Sequence, residues 1–276
     1  MPSTTERASA SGPEPPPSPG AFPGPVADLC VAVLALDEAA RIGTALGSVD
    51  WAGERLVVDS GSRDGTPDVA RGLGARVVSH PFRDYADQRN AALAEAGREW
   101  VLFLDADETV TPALAAEIAR VLRAPGGTAG FEIPRRNFLG ERWLRHGGLY
   151  PDHQLRLMRR GRARWEGRVH ERARVDGPVG RLAEPLEHRT YADRADLVRK
   201  VRRYAALEGR ERAERGESPL ALLARVPWRL VQVLLVRSGW RDGADGWAHA
   251  WALTLYAWLV FRAALGARAA TARAGD

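Results

Sequence analysis

Four short apolar runs alternating with helical patterns restrict this chain more than any other feature. Leu29–Leu36, Arg55–Val58, Ala75–Val78 and Trp100–Leu104 have strand length, and helical patterns fall at about 38–48, 64–73, 85–96 and 111–123. Strands this apolar are covered on both faces, and strand alternating with helix predicts an α/β fold with a mainly parallel, Rossmann-like sheet and right-handed crossovers. In such sheets ligands gather at the carboxyl ends of the strands. Here those ends carry Asp37-Glu38, Asp59 and Asp105-Ala106-Asp107.

Around this block the composition shifts twice. Residues 1–27 hold eight of the 18 prolines and too little apolar surface to offset chain entropy, so they are expected to form a disordered leader. A domain over 28–190 follows, its second half (131–190) reading as short strands and loops, and then a helical region over 191–276. That region opens with a charged helix, Arg194 to Arg215, and continues with two apolar stretches, 219–238 and 247–265. Arg225, Arg229 and Gln232 form a polar stripe on the first, and Trp247, Trp251, Tyr256 and Trp258 mark the second. Neither is a clean uncharged span, so a helix pair lying at a membrane interface is expected rather than a crossing, with a buried hairpin or dimer interface as the alternative. The start of the chain has no signal-peptide pattern, which makes the cytoplasm the expected compartment. Cys30, the sole cysteine, excludes a disulfide framework and a thiolate metal site. A formal charge of +5 suits an anionic partner such as a nucleotide diphosphate, acidic lipid or nucleic acid.

Several segments could carry chemistry. In Val57–Thr66 a strand ends at Asp59, Gly61 and Gly65 permit a tight turn, and a helix starts near Asp64, which would present backbone N–H groups and a carboxylate to a ligand. The pattern is neither GxGxxG nor a Walker loop, against dinucleotide and P-loop chemistry. Asp105 and Asp107 stand two apart after a buried strand, so both can face one Mg²⁺ or Mn²⁺ ion that would also hold diphosphate oxygens. Arg89 and Asn90, near a helix start, could contact a base, ribose or phosphate. Asp152, Glu171 and His170 are candidates for a base acting on a hydroxyl or for ligating the ion. Nucleic acid is not expected, because it would explain the basic charge but not the carboxylates at strand ends.

Together these segments resemble family 2 glycosyltransferases, and within them the bacterial lipopolysaccharide-core glucosyltransferase branch. The resemblance is carried by Asp37-Glu38, Val57–Thr66, Gln88-Arg89-Asn90, Asp105–Glu108, Pro134–Asn137, His146–Arg160, Val169-His170-Glu171 and Gly239–Trp247, and covers about 28–262. It implies a GT-A fold, an inverting transfer from a nucleotide-diphosphate sugar such as a UDP-hexose, and a lipid-linked or core glycan as acceptor at the inner-membrane surface. A polyprenyl-phosphate acceptor or a sugar nucleotidyltransferase activity are the alternatives. By position Asp59 and Gly61 would hold the nucleotide base, and Glu38, Arg89 and Asn90 would lie at the nucleotide. Asp105 would sit near ribose and metal, Asp107 and His170 would ligate the metal, and Asp152, then Glu171, would be the base. The family's first strand ends more often in Asn-Glu, where this chain has Asp37-Glu38.

Overall fold

The computed structural model describes residues 22, 24–167 and 171–274. Most of the leader and the expected ligand His170 lie outside these residues. Strands β1 (Val26–Ala35), β2 (Ala52–Asp59), β3 (Arg76–Ser79) and β4 (Trp100–Asp105) alternate with helices α1 (Ile42–Gly47), α2 (Thr66–Gly72) and α3 (Tyr85–Glu95). The strands run parallel in the order β3-β2-β1-β4. β1 begins ahead of the expected boundary at residue 28, because Val26 already pairs with Ala52.

Period-two alternation sorts these strands between two cores. Leu29, Val31, Val33, Val57, Leu102 and Leu104 join Ile42 and Leu46 on one face. Cys30, Ala32, Leu56, Val58, Val101 and Phe103 join Ala92 and Leu93 on the other. The stretches Leu29–Ala35, Leu56–Val58 and Trp100–Leu104 are therefore apolar at every position, and each large aliphatic side chain buried this way contributes about 1.5–3 kcal/mol. Burial pushes the Cys30 thiol well above its usual range, so it is an inert core residue.

Beyond β4 the sheet changes character. β5 (Glu108–Val110), α4 (Pro112–Arg123), β6 (Gly130–Leu139), β7 (Arg142–Leu144), β8 (Asp152–Arg159), β9 (Ala163–Glu166), β10 (Arg172–Val175), β11 (Val179–Arg181) and β12 (Leu186–Tyr191) follow. The sheet continues β4-β8-β6-β12-β5. β8 is antiparallel to both β4 and β6, and β5 to β12. The sheet is thus parallel in its first half and mixed as a whole, with β9 and β10 forming a separate antiparallel pair. This arrangement, a doubly covered α/β sheet whose parallel half leads into a mixed one, is that of a GT-A fold.

Three helices close the molecule: α5 (Arg194–Glu214), α6 (Pro219–Val231) and α7 (Gly243–Ala274). Asp193 caps α5 by accepting the Asp196 N–H at 2.6 Å. Gly209 lets α5 close on α7, since a Cβ there would fall 2.5 Å from the Ala263 methyl. α6 runs through Pro227 to Val231 and passes into a π turn over Gln232–Val236. Two loops then lock together. The His146 ring and backbone N–H contact the Asp242 carboxylate at 2.7 and 2.8 Å, and Gly147 N–H donates to the Arg237 carbonyl. The helical region is therefore pinned to the sheet domain through the turn between α6 and α7.

Pro219–Val236 and Gly239–Ala270 are each long and apolar enough to cross a membrane by length and composition. Both, however, have one face packed inward. Leu222, Val233 and Leu234 are buried, as are Ala250, Ala252 and Val260. The outer face carries Leu220, Trp228, Leu235, Trp240, Trp247, Trp251 and Trp258, with Trp251 58% exposed.

Candidate active site

At the carboxyl end of β2 the backbone makes the site. Gly61 and Gly65 take φ of +99° and +88°, which side chains other than glycine rarely adopt. The turn they allow lets Asp59 Oδ2 accept the N–H groups of Gly61 (3.0 Å) and Ser62 (3.1 Å). Its other oxygen, Oδ1, is buried without a partner. That oxygen is closed off from solvent, so a base N–H could reach it only if the turn at Gly61 shifts. Asp37 explains its own departure from the family's asparagine. It sits at φ +56°, a region that both Asp and Asn tolerate, and ties the neighbouring loop by accepting Arg63 N–H at 2.8 Å. Glu38 follows it, half-buried and paired with Arg41 at 3.2 Å. Burial, aided by the charge of nearby Asp107, raises its carboxyl above the usual range.

At the end of β4 side chains make the site instead. Asp105 Oδ2 accepts from Arg156 Nη2 at 2.6 Å and Oδ1 from Arg89 Nη2 at 3.3 Å. Glu108, 0% exposed, takes Arg156 at 2.8 Å, Arg135 at 3.3 Å and the Asp105 N–H at 3.0 Å. Burial alone would raise the Asp105 carboxyl, but Arg156 and Arg89 hold it far below its usual range. Arg89 packs against both Phe103 and Trp165, rings that meet edge to face, with its guanidinium 4.6 Å from the Trp165 ring centre. Asp105 therefore anchors an arginine lattice through both of its oxygens.

Asp107 is differently placed. Its Oδ1 lies 3.5 Å from His188 Nε2, and His188 in turn meets Asn137 Oδ1 at 2.8 Å. Burial raises its carboxyl, while the His188 hydrogen bond and charge outweigh that and lower it. Among the described residues no three carboxylate, histidine or cysteine side chains cluster as a metal cage. A cleft-facing carboxylate, completed by substrate phosphates and water, is a donor set that would suit Mg²⁺ or Mn²⁺ carried in with a diphosphate.

Asp107, Asp105, Arg89 and Glu171 line one cleft of about 640 Å³. Glu171 faces it from the segment before β10, with Oε1 3.6 Å from Arg89 Nε. The opposite wall comes from α5 and α7 through Lys200, Tyr204, Leu253 and Tyr256. Five expected site residues do not line this cleft: Glu38, Asp59 and Gly61 sit at and just after the ends of β1 and β2, and Asp152 and Asn90 are engaged elsewhere. Asp152 is turned onto Arg135, which holds it from Nε at 2.9 Å and Nη2 at 2.5 Å, and it does not line the cleft. Burial opposes ionisation there, yet Arg135 and Gln154 keep the Asp152 carboxyl below its usual range. Asn90 spends both ends of its amide on the Trp165 backbone, each at 2.9 Å, and so staples α3 to β9 rather than facing a ligand. Arg135 and Arg156 lie in the Pro134–Asn137 and His146–Arg160 segments that carry the family resemblance, whereas no sequence motif singles out His188 or Lys200.

The sequence model of the family described as glycosyl transferase family 2 matches residues 31–173. A lipopolysaccharide core biosynthesis glycosyltransferase, LpsC of Rhizobium meliloti, is 28% identical over 86% of this chain and 91% of its own. An uncharacterized glycosyltransferase of Rickettsia bellii is 41% identical over 31% of this chain and 30% of its own. The solved glucosyl-3-phosphoglycerate synthase of Mycobacterium tuberculosis, in complex with Mn²⁺, UDP and glucosyl-3-phosphoglycerate, is 29% identical over 40% of this chain and 45% of that one, with a TM-score of 0.36. So partial an overlap leaves the fold resting on the strand order itself.

Proposed function

Because the chain belongs to glycosyl transferase family 2, we propose that it moves a hexose, with inversion, from a nucleoside-diphosphate sugar of the UDP type to a hydroxyl of a lipid-linked or lipopolysaccharide-core glycan. The observation that carries this reading is Asp107 and Glu171 facing one cleft at the strand ends, with Asp59 at the end of β2, two strands from β4 in the same sheet. The nucleotide base lies against Asp59 and the turn at Gly61, and Glu38 and Arg89 flank its ribose and phosphates. Asp107 holds the divalent cation with the diphosphate, and His170 is a candidate second ligand. When bound, that cation neutralises charge on the departing diphosphate.

Glu171 is the base in this proposal. It removes the acceptor proton as the acceptor oxygen attacks the anomeric carbon on the face opposite the leaving group, which inverts that centre. Asp152, already committed to Arg135, instead keeps Arg135 aimed at Glu108. Glu171→Gln should lose about 10²–10⁴-fold in turnover with nucleoside-diphosphate affinity unchanged. Asp152→Asn should keep turnover within about tenfold, since an amide oxygen can still accept from Arg135. A dead Asp152→Asn beside an active Glu171→Gln would return the role to Asp152.

The enzyme works, on this proposal, in the cytoplasm, peripheral to the inner face of the cell membrane. Support comes from the outward tryptophans of α6 and α7 and from the exposed Arg225, Arg237, Arg241 and Arg262 among them. The acids of this region are paired: Asp242 binds His146, Asp245 binds Arg194 at 2.7 Å, and Glu217 binds Arg212 and Arg225, each at 2.9 Å. An apolar face with arginines at its fringe suits anionic headgroups.

A further inference from the structure

Lys200 is the only lysine among the chain's 40 lysine and arginine residues. It stands in the catalytic cleft, on α5, beyond the stretch that the family model matches. A chain that meets every other need for a fixed cation with arginine keeps an ammonium at this one position. The difference is physical. Arginine offers a rigid fork that carboxylates seize, as Asp105, Glu108 and Asp152 seize Arg89, Arg156 and Arg135. Lysine offers a compact point charge on a flexible stem, able to follow a ligand.

The surroundings match that difference. Lys200 Nζ rests on the Thr190 carbonyl at 2.6 Å, with the Asp196 carboxylate 3.9 Å away and no closer ion pair. Its side chain is 29% exposed, and its positive charge acts on both Asp107 and Glu38. Arg89, the arginine that shares the cleft, is buried against two aromatic rings and bound to Asp105. Lys200 is thus the cleft's more exposed and less committed cation, within electrostatic reach of Asp107, the carboxylate proposed to hold the metal.

We propose that Lys200 is a catalytic residue whose ammonium binds the terminal phosphate of the donor's diphosphate and stabilises it as it leaves. This rests on the donor assignment above. As the acceptor oxygen bonds to the anomeric carbon, the bond from that carbon to the phosphate oxygen breaks and its electron pair stays on that oxygen. The acceptor proton passes to Glu171. Lys200 keeps its own proton and donates a hydrogen bond to the phosphate, where charge accumulates.

Calorimetry with UDP, GDP, ADP and dTDP in Mn²⁺ identifies the diphosphate that the wild type binds best, and the matching monophosphate is the control. Lys200→Met should weaken that diphosphate about tenfold or more, leave the monophosphate unchanged, and lower turnover about 10²-fold. Unchanged diphosphate affinity in a folded Lys200→Met overturns the proposal. A wild type that binds none of the four overturns the donor assignment and this inference with it. A second measurement needs no variant. Reductive methylation of the wild type with isotope-labelled formaldehyde gives a single lysine resonance, because the chain has a single lysine. That resonance should move on adding the diphosphate and stay in place with the monophosphate. A resonance unmoved at saturating diphosphate also overturns the proposal.

Discussion

The two halves of the sheet hold their carboxylates in different ways. At the ends of β1 and β2 three aspartates are held by backbone N–H groups: Asp59, through one oxygen, by Gly61 and Ser62, Asp37 by Arg63, and Asp64 by Ala39 and Thr66. At β4, β6 and β8 they are satisfied by guanidinium groups from distant strands and helices. A carboxylate on backbone amides depends on its immediate neighbours in sequence. One held by arginines depends on the whole domain having assembled.

The strongest way to break this contrast is Arg156→Met. It leaves Asp105 and Glu108 partly or wholly without their shared cation in a buried setting, which should cost about 3–5 kcal/mol in chemical denaturation. A loss under about 1 kcal/mol would mean that Arg135 and Arg89 suffice, and that the lattice is redundant. Asp107→Ala should be milder for the fold and severe for function. Transfer should fall about 10²–10³-fold at an unchanged melting temperature, and chelation should silence the wild type. Wild-type activity undiminished in EDTA would remove the metal from the scheme.

Asp59→Asn sharpens the other side of the comparison. The amide oxygen can still accept from Gly61 and Ser62, so stability should hold within about 1 kcal/mol. An NH₂ group would replace the orphaned oxygen, so nucleoside-diphosphate affinity should drop about tenfold. Equal affinity would place the base elsewhere. The smallest effect belongs to the outer helices. Trp251→Ala combined with Trp258→Ala should reduce binding to vesicles containing phosphatidylglycerol by roughly fivefold, with nucleotide affinity untouched. Vesicles that bind both proteins equally, or neither, would leave the tryptophan face without a role at lipid.

The same contrast decides how much was legible in the sequence. The parallel half could be read because each of its signals is local: apolar runs fix the strands, and glycines at 61 and 65 fix the turn that aims Asp59. Its helices fall within a few residues of expectation, with α1 starting late because Asp37 and Glu38 are drawn into loop contacts first. The arginine lattice could not be read, because Arg89, Arg135 and Arg156 meet only after β8 has inserted antiparallel between β4 and β6. That insertion also decides what Asp152 faces. Its register opposite Arg135 turns a carboxylate that looked like a base into the partner of a cation. Lys200 was hidden for another reason, since a lone lysine on a charged helix carries no periodic or motif signal.

Helix α7 has two working sides. Leu253 and Tyr256 look into the cleft, while Trp251 and Trp258, half a turn round the same helix, look out. A bilayer touching those tryptophans would be separated from the reacting centre by about one helix diameter, ~10–12 Å. With lipid on one side of the rod and chemistry on the other, the protein becomes a gauge of height. Hydroxyls close to the lipid plane would pass beneath the cleft, and those standing a helix's width above it would meet Glu171. Acceptor choice would then be set by how far the growing glycan has risen from its anchor, before any contact reads which sugar it carries.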